Sequence, residues 1–351
     1  KNTREVLWPQ IIEGLTKTLT TEEIENETKA NMNDNTVPAF RGTYEEVQKY
    51  FETSGLTDGL PIVPPTEEKI NEFLKYTPYK ADDLIGNIPP EYKKITAFDV
   101  AITGVMSGCP PEYMPILIAF TKALTNGDFR KTLSSTHAWT PFVWINGPLA
   151  RQLNIDYGQG EISMPNNKKI GRYMELAMKD LAGYDVKKNR QGTFGYITPW
   201  CIAENEEAIL KAGWQPYHSE KGYNLNDNTL TASSSLSWGN NLTPATSDAE
   251  KTAELMAWDA VEKEQFALGG GTPFVYRTIL ITESVAKDLA KKYKTKDMLE
   301  NELIKLARRP VYERTYANYY ANPGSSFEGK NYSLEQHKNK IGREENSEIT
   351  D

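Results

Sequence analysis

The sequence predicts an α/β or α+β protein in which a mixed β-sheet is layered with helices in a single compact body. Strand-like and helix-like segments interleave along the chain without a repeat, which favours a layered sheet. The segment 140–146 has the composition of a strand and stops at Gly147-Pro148. The segment 167–182 places apolar residues on one helical face. Hydrophobic residues form 38% of the 351 residues, which is enough for a core.

The elements follow one another from residue 43. Thr43 and Glu46 form a capping box that starts a helix ending near Thr53. Three prolines keep 57–66 extended, and Thr66 caps the next helix. The remaining predicted elements are helices at 67–75, 97–106 and 110–125 (buried), a strand at 140–146, a helix at 167–182, strands near 195–203 and 228–236, a helix at 248–266 capped by Thr246-Ser247, a strand at 274–281, a helix from Glu283 and a helix at 296–308.

The chain has no Pro/Gly/Ser-rich linker after residue 43, so one domain is predicted over 43–322. Residues 1–42 are expected to form a polar N-terminal arm with one helix at 20–31, and 323–351 a polar C-terminal tail.

Charge and composition exclude several classes of protein. The formal net charge of −8 argues against a nucleic-acid partner, because phosphate contacts need a basic surface. No apolar run reaches about 18 residues, so no membrane span is predicted. A small-molecule substrate is the expected partner, and a homo-oligomer is open. We expect a cytoplasmic protein, with export after removal of a signal segment as the alternative, since the chain starts at Lys1.

The two cysteines each open a segment suited to chemistry, and one long-range disulfide between them stays open. Cys109 precedes Pro110-Pro111 and a buried helix, which predicts an N-cap position where the helix dipole lowers the thiol pKa. An inert core cysteine is the alternative. Cys201 and Glu204 lie where a strand meets a helix, and Glu204 and Glu206 are candidate acid/base groups or metal ligands. The helix start itself explains Asn205 as a cap, and Glu206 and Glu207 as dipole partners.

Two histidines and one strand end complete the candidate site. His137 precedes the 140–146 strand and His218 follows the glutamates, so each is a candidate base or metal ligand. Asn146-Gly147 ends that strand where backbone amides can meet an anion. Cys109, His137, Cys201, Glu204 and His218 together could hold a divalent metal ion, although their spacing matches no standard local motif.

Several segments, in order over about residues 57 to 220, resemble a family associated with selenoproteins that carry the Sec-Gly-Ser-Cys motif, the UGSC family. The matching segments are Thr57–Thr66, Gly108–Tyr113, Thr136-His137, Ile145–Pro148, Ile170–Arg172, Cys201–Glu207 and Pro216–His218. The resemblance implies a soluble prokaryotic enzyme linked to thiol or selenol redox chemistry, an oxidoreductase. The chain departs from the family because it has no Sec-Gly-Ser-Cys segment, and because Lys168-Lys169 precede Ile-Gly-Arg.

The sequence therefore predicts an enzyme acting on a small organic substrate by thiol-dependent chemistry. We expect Cys109, His137, Cys201 and Glu204 to be catalytic and to share one pocket with Asn146. Asn146 and nearby amides would stabilise a developing oxyanion. The residues expected to bind substrate are Asn146, Gly147, Arg172, Asn205, Glu206 and His218. A metalloenzyme and a non-catalytic small-molecule-binding protein or complex subunit are the alternatives.

Overall fold

A computed structural model gives the structure of residues 38–126, 129, 133, 139–186, 188–190, 192, 196–235, 242–262, 278–310, 326–327, 330–331 and 346–348. The chain divides into two units, Lys1–Gly55 and Leu56–Asp351. The domain boundary predicted near residue 42 lies before the first described helix, whereas the two units divide after it. The helix predicted at 20–31 lies outside the described residues.

The first unit contains helix α1 (Tyr44–Thr53), which begins at the predicted capping box. The Glu46 amide donates to Thr43 Oγ1 at 3.3 Å, and the Thr43 amide donates to Glu46 Oε2 at 2.8 Å. Phe40 stacks on Tyr50 with ring centroids 4.8 Å apart.

The second unit begins with a hairpin framed by helices. Its elements are α2 (Glu67–Leu74), capped by Thr66 as predicted, the antiparallel pair β1 (Leu84–Ile88) and β2 (Lys93–Thr96), α3 (Ala97–Met106), a 3₁₀ turn (Pro111–Tyr113) and α4 (Met114–Leu124). The helices match the predicted positions, and α4 is buried as expected. The hairpin was not predicted, because both strands are short and β2 carries a single apolar residue, Ile95.

A mixed three-stranded sheet carries the candidate site. β3 (Thr140–Asn146) is its central strand and is followed by α5 (Pro148–Gln152). β4 (Trp200–Ala203) pairs with β3 in parallel, and β5 (Thr229–Ser235) pairs with it antiparallel. This sheet and its covering helices confirm the predicted fold class.

The two faces of the sheet contact different parts of the protein. Side chains alternate along a strand, so Val143 and Cys201 face the main core with Ala203, whereas Phe142 and Trp200 stack on the other face. Helix α6 (Pro165–Leu176), continued by a π-helical turn (Ala177–Leu181), covers the core face. An added Cβ at Gly171 would lie 2.4 Å from the Pro199 carbonyl oxygen, so glycine permits this close approach.

The rest of the second unit is mainly helical. It contains a 3₁₀ turn (Glu161–Ser163), α7 (Glu206–Ala212), α8 (Tyr217–Glu220), α9 (Ala249–Glu262), α10 (Glu283–Ala290) and α11 (Lys296–Leu306), then the pairs of β6 (Arg308–Pro310) with β9 (Asn346–Glu348) and of β7 (Ser326–Phe327) with β8 (Lys330–Asn331). Most of the predicted tail lies outside the described residues. Within the described part, no helix combines the length and apolarity that crossing a bilayer requires.

Two sequence predictions in this region need correction. The strand predicted at 274–281 is wrong over the described residues 278–281, which form no strand and leave Ile279 and Leu280 substantially exposed. The first part of that segment lies outside the described residues. Helix α9 is capped by Asp248, whose Oδ1 accepts from the Glu250 and Lys251 amides, rather than by Thr246-Ser247.

Candidate functional site

Polar side chains meet at the carboxyl ends of β3 and β4. Asn146 ends β3 and Glu204 directly follows β4. Asn146 Nδ2 donates to Glu204 Oε2 at 2.6 Å and to Glu206 Oε1 at 3.2 Å. Because β3 and β4 are parallel, their carboxyl ends lie at one edge of the sheet, which is where ligands bind in α/β folds. Of the residues expected to share one pocket, Asn146 and Glu204 are in direct contact.

The turn between β4 and α7 directs Glu206 towards β3. Asn205 is the N-cap of α7, and its Oδ1 accepts from the Ala208 amide at 3.1 Å. Glu206 Oε1 accepts from the Gly147 amide at 2.6 Å, so the anion that meets this strand-end amide is the protein's own carboxylate. Glu207 instead pairs with Lys211 at the exposed helix start, as expected.

Gly147 is required by the backbone at this position. Its φ of +97° lies in the region that side chains rarely adopt, and an added Cβ would lie 2.4 Å from the Asp227 carbonyl oxygen. Since Gly147 supplies the amide that holds Glu206, the shape of the turn fixes the position of the carboxylate.

His218 lies buried beside Glu206, with only 1% of the residue exposed. Its Nδ1 is 3.7 Å from Glu206 Oε1, which is too long for a hydrogen bond. Neither ring nitrogen has a hydrogen-bond partner among the residues that the structure describes. Buried polar atoms are nearly always paired with protein, water or ligand. The imidazole is therefore a polar group whose hydrogen-bonding capacity is unused.

Asn146 and its neighbour on β5 carry two further unused polar atoms. Carboxylates only accept hydrogen bonds, so the nitrogen of Asn146 must face Glu204 and Glu206, and its Oδ1 points elsewhere. That oxygen is buried without a partner, as is Oγ1 of Thr229, which lies opposite Asn146 across the β3–β5 ladder.

Two charged groups that the sequence did not mark complete the cluster. Lys296, at the start of α11, lies 3.2 Å from Glu204 Oε1 and 3.4 Å from Glu220 Oε2. Burial raises the pKa of Glu220 against the opposing effect of Lys296. Neither residue was a candidate from the sequence, and they lie on helices far apart in the chain, so only the tertiary structure could bring them to the site.

Cys109 is a core residue, and the predicted low pKa is wrong. The N-cap of the following 3₁₀ turn is Pro110, not Cys109. The Cys109 thiol accepts from Ser107 Oγ at 3.3 Å and donates to the Lys169 carbonyl oxygen at 3.5 Å. Burial raises the pKa of Cys109 to about 12, because a thiolate would lose its hydration there.

Cys201 also faces the core and is 1% exposed. Burial raises its pKa, with smaller contributions from Glu161 and Cys109. Neither cysteine forms a disulfide. Asn146, by strand alternation, faces the opposite side of the sheet from Cys201, so the structure does not bring the thiols to the polar cluster. His137 lies outside the described residues.

Arg172, expected to bind substrate, has a partner within the protein. Its guanidinium binds both carboxylate oxygens of Asp58 at 2.9 and 3.0 Å and donates to the Pro61 carbonyl oxygen at 2.8 Å. Burial opposes ionisation of Asp58, but the hydrogen bonds and charge of Arg172 outweigh it and lower the pKa of Asp58. The pair holds the proline-containing segment to α6.

Asn146 and the Gly147 amide were expected to stabilise an oxyanion, and this expectation needs correction. Both donors already bind the carboxylates of Glu204 and Glu206. The metal alternative also gains no support, since no three His, Cys, Asp or Glu side chains of the described residues are arranged to hold a metal ion.

Glu161 is a titratable group that no sequence pattern selected. Its Oε2 accepts from the Ala203 amide of β4 at 3.2 Å, and burial raises its pKa to about 7. The amide that it binds belongs to the residue directly before Glu204 in the chain. The one sequence feature beside Glu161 is Gly160, whose left-handed backbone precedes the 3₁₀ turn.

The chain was compared with protein-family models, curated proteins and solved structures, and none of them matches it.

Proposed function

We propose that this protein is an enzyme that acts on a small organic substrate at the carboxyl edge of β3 and β4, with Glu206 as general base. The observation that carries the proposal is the asymmetric anchoring of this carboxylate. Glu206 Oε1 accepts from the Gly147 amide and Asn146 Nδ2, whereas Oε2 has no hydrogen-bond partner among the described residues. One oxygen fixes the group and the other is available to a substrate.

Glu204, one of the two bases expected from the sequence beside His137, is less suited to proton transfer. Its Oε2 accepts from Asn146 and from the Tyr217 amide at 2.7 Å, and its Oε1 binds Lys296. Both oxygens are therefore in use, whereas Glu206 keeps one oxygen without a hydrogen-bond partner among the described residues. Glu204 instead holds Asn146 and Lys296 in place beside Glu206.

The proposed step is a proton transfer. Glu206 Oε2 removes a proton from a substrate O–H, N–H or C–H group, which leaves a neutral carboxylic acid and a substrate anion. His218 lies beside this carboxylate, with Nδ1 3.7 Å from the anchored oxygen and no hydrogen bond to it. The side chain of Glu206 is 14% exposed, which lets a small molecule reach it while most of the group stays desolvated.

The thiol-dependent chemistry expected from the sequence has less support. Both thiols are buried and have raised pKa values, whereas nucleophilic cysteines need a populated thiolate within reach of the substrate. The polar cluster, by contrast, combines an anchored carboxylate with unused hydrogen-bonding atoms on His218 and Asn146.

A metabolite extract incubated with the protein tests the proposal. Mass spectrometry should find at least one compound consumed by the wild type and by Glu207→Gln, which changes only an exposed carboxylate. Glu206→Gln keeps the acceptor for Gly147 but cannot take a proton, so turnover should fall by roughly two to four orders of magnitude. Equal consumption by Glu206→Gln, or no consumption by the wild type, would overturn the proposal.

A further inference from the structure

A short segment of the second unit lies against the turn that carries Cys109. We propose that residues 57–63, here called the strap, open locally and that this opening controls the access of small reagents to the Cys109 thiol. Arg172 and Asp58 form the latch that keeps the strap closed. The device operates apart from the polar cluster that contains Glu206.

One end of the strap is attached directly beside Cys109. The Val63 amide donates to the Met106 carbonyl oxygen at 3.3 Å, where α3 ends. An added Cβ at Gly108 would lie 3.8 Å from Val63 Cγ2, so the strap lies in contact distance of the residue that precedes Cys109. Val63 also packs against the buried core cluster to which Cys109 belongs.

The other part of the strap is attached to the face of α6 that meets the sulfur. The Cys109 thiol contacts the Lys169 carbonyl oxygen, and helical carbonyl groups point towards the turn that follows. Arg172 lies three residues after Lys169, so both are on one face of α6. Burial raises the pKa of Cys109 and the charge of Arg172 opposes this effect, as expected for a guanidinium nearby. The latch therefore lies beside the thiol.

The latch consists of a few polar contacts. The Arg172 guanidinium donates to both carboxylate oxygens of Asp58 at 2.9 and 3.0 Å and to the Pro61 carbonyl oxygen at 2.8 Å. Lys179 Nζ donates to the Thr57 carbonyl oxygen. Charge-assisted fork contacts of this kind are strong and directional, so losing one partner releases the segment.

The rest of the strap is suited to local opening. Residues 57–63 form neither helix nor strand, and Ile62 is the one fully buried side chain among them. Leu60 is 60% exposed, and an added Cβ at Gly59 would have no neighbour within 4 Å. Segments with few buried apolar contacts and no backbone ladder open at a lower free energy than the core does.

Cys201 is an internal reference for opening of the whole fold. It faces the same core and is 1% exposed, but it lies on β4, which pairs with the central strand β3. Reaction of Cys201 with a reagent therefore requires disruption of the sheet, whereas reaction of Cys109 requires only release of the strap.

The test is the rate at which iodoacetamide alkylates each thiol of the native wild type, measured by peptide-level mass spectrometry at pH 7.5. Without denaturant we expect Cys109 to react at least about tenfold faster than Cys201. Urea below the unfolding transition should leave the Cys109 rate nearly constant, because strap opening exposes little surface. The Cys201 rate should rise steeply with urea, because global unfolding exposes the whole core.

Two variants separate the latch from general stability. Asp58→Asn removes the charge that holds Arg172, so the native Cys109 rate should rise about fivefold to a hundredfold. Gly147→Ala destabilises a turn that does not touch the strap. It should raise the Cys201 rate and leave the Cys109 rate unchanged, because that turn stays intact when the strap opens. Circular dichroism checks that each variant is folded.

If Asp58→Asn does not fold, the urea series on the wild type decides alone. A Cys109 rate no higher than that of Cys201, or one that rises equally steeply with urea, overturns the strap as a local device. A folded Asp58→Asn that reacts at the wild-type rate, or a Gly147→Ala that accelerates both thiols by the same factor, overturns it as well.

Discussion

The raised pKa of Cys109 predicts that its alkylation by iodoacetamide is slow. At pH 7.5 a free thiol of pKa about 8.5 is roughly one-tenth thiolate. With a pKa of about 12, the thiolate fraction of Cys109 falls about 3000-fold below that value. A thiolate of higher pKa is intrinsically more nucleophilic, which raises the rate constant of the thiolate itself by roughly 40-fold. Ionisation alone therefore slows the reaction by roughly a hundredfold, and burial of the sulfur adds to this.

The assay is peptide-level mass spectrometry of the native protein and of the protein unfolded in guanidinium chloride. We expect both cysteines to react at similar rates when unfolded and at least about a hundredfold more slowly when native. The native rate should keep rising above pH 8.5, since the thiol has not yet titrated. Ser107→Ala, which removes the hydroxyl that donates to the sulfur, should not raise the native rate, because it removes a contact that favours the thiolate.

A native rate equal to the unfolded rate, or a plateau below pH 8.5, would refute this reasoning. The first result would show that Cys109 is an accessible thiol of ordinary pKa, and the second that it is the thiolate predicted from the sequence. The second result would also restore the thiol-dependent mechanism as the better proposal.

Three further predictions concern the turn, the edge of β4 and the Arg172 pair. Gly147→Ala should lower the free energy of unfolding by more than Gly213→Ala does, because an added Cβ at Gly213 has no neighbour within 4 Å. Both positions have positive φ, and this backbone strain alone costs about 1–3 kcal/mol. Equal losses in urea titrations would contradict the predicted clash at Gly147. Glu161 has a folded pKa of about 7, so its contribution to stability is fully present below its unfolded pKa and is lost as pH rises to 7. That loss is about 3 kcal/mol at most, and Glu161→Gln should remove this pH dependence, whereas the exposed Glu207→Gln should not. Arg172→Lys should lose the bidentate contact with Asp58 and destabilise by about 1–3 kcal/mol in urea, and a loss under about 0.5 kcal/mol would show that the fork geometry is unimportant.

The sequence by itself determined the local elements of this protein. The capping boxes and caps at Thr43 and Thr66 act over three residues, so their helices begin where predicted. The buried face of α6 follows from 3.6-residue spacing, which needs no knowledge of what covers it. The end of β3 at Asn146 and the cap at Asn205 were also predictable, because strand ends and helix starts are marked by neighbouring residues.

Only the tertiary structure decided which candidate residues meet. Residues 278–281 show the limit for strands, because an apolar run forms a strand only if another strand pairs with it. Cys109 shows the same limit for the reactivity of a side chain. The Lys169 carbonyl oxygen that its thiol contacts is 60 residues away in the chain, and the burial that raises the pKa of Cys109 comes from the whole core. Arg172 meets Asp58 across 114 residues, and Lys296 meets Glu204 across 92. Burial and charge pairing depend on distances in space, and a sequence pattern reports only distances along the chain.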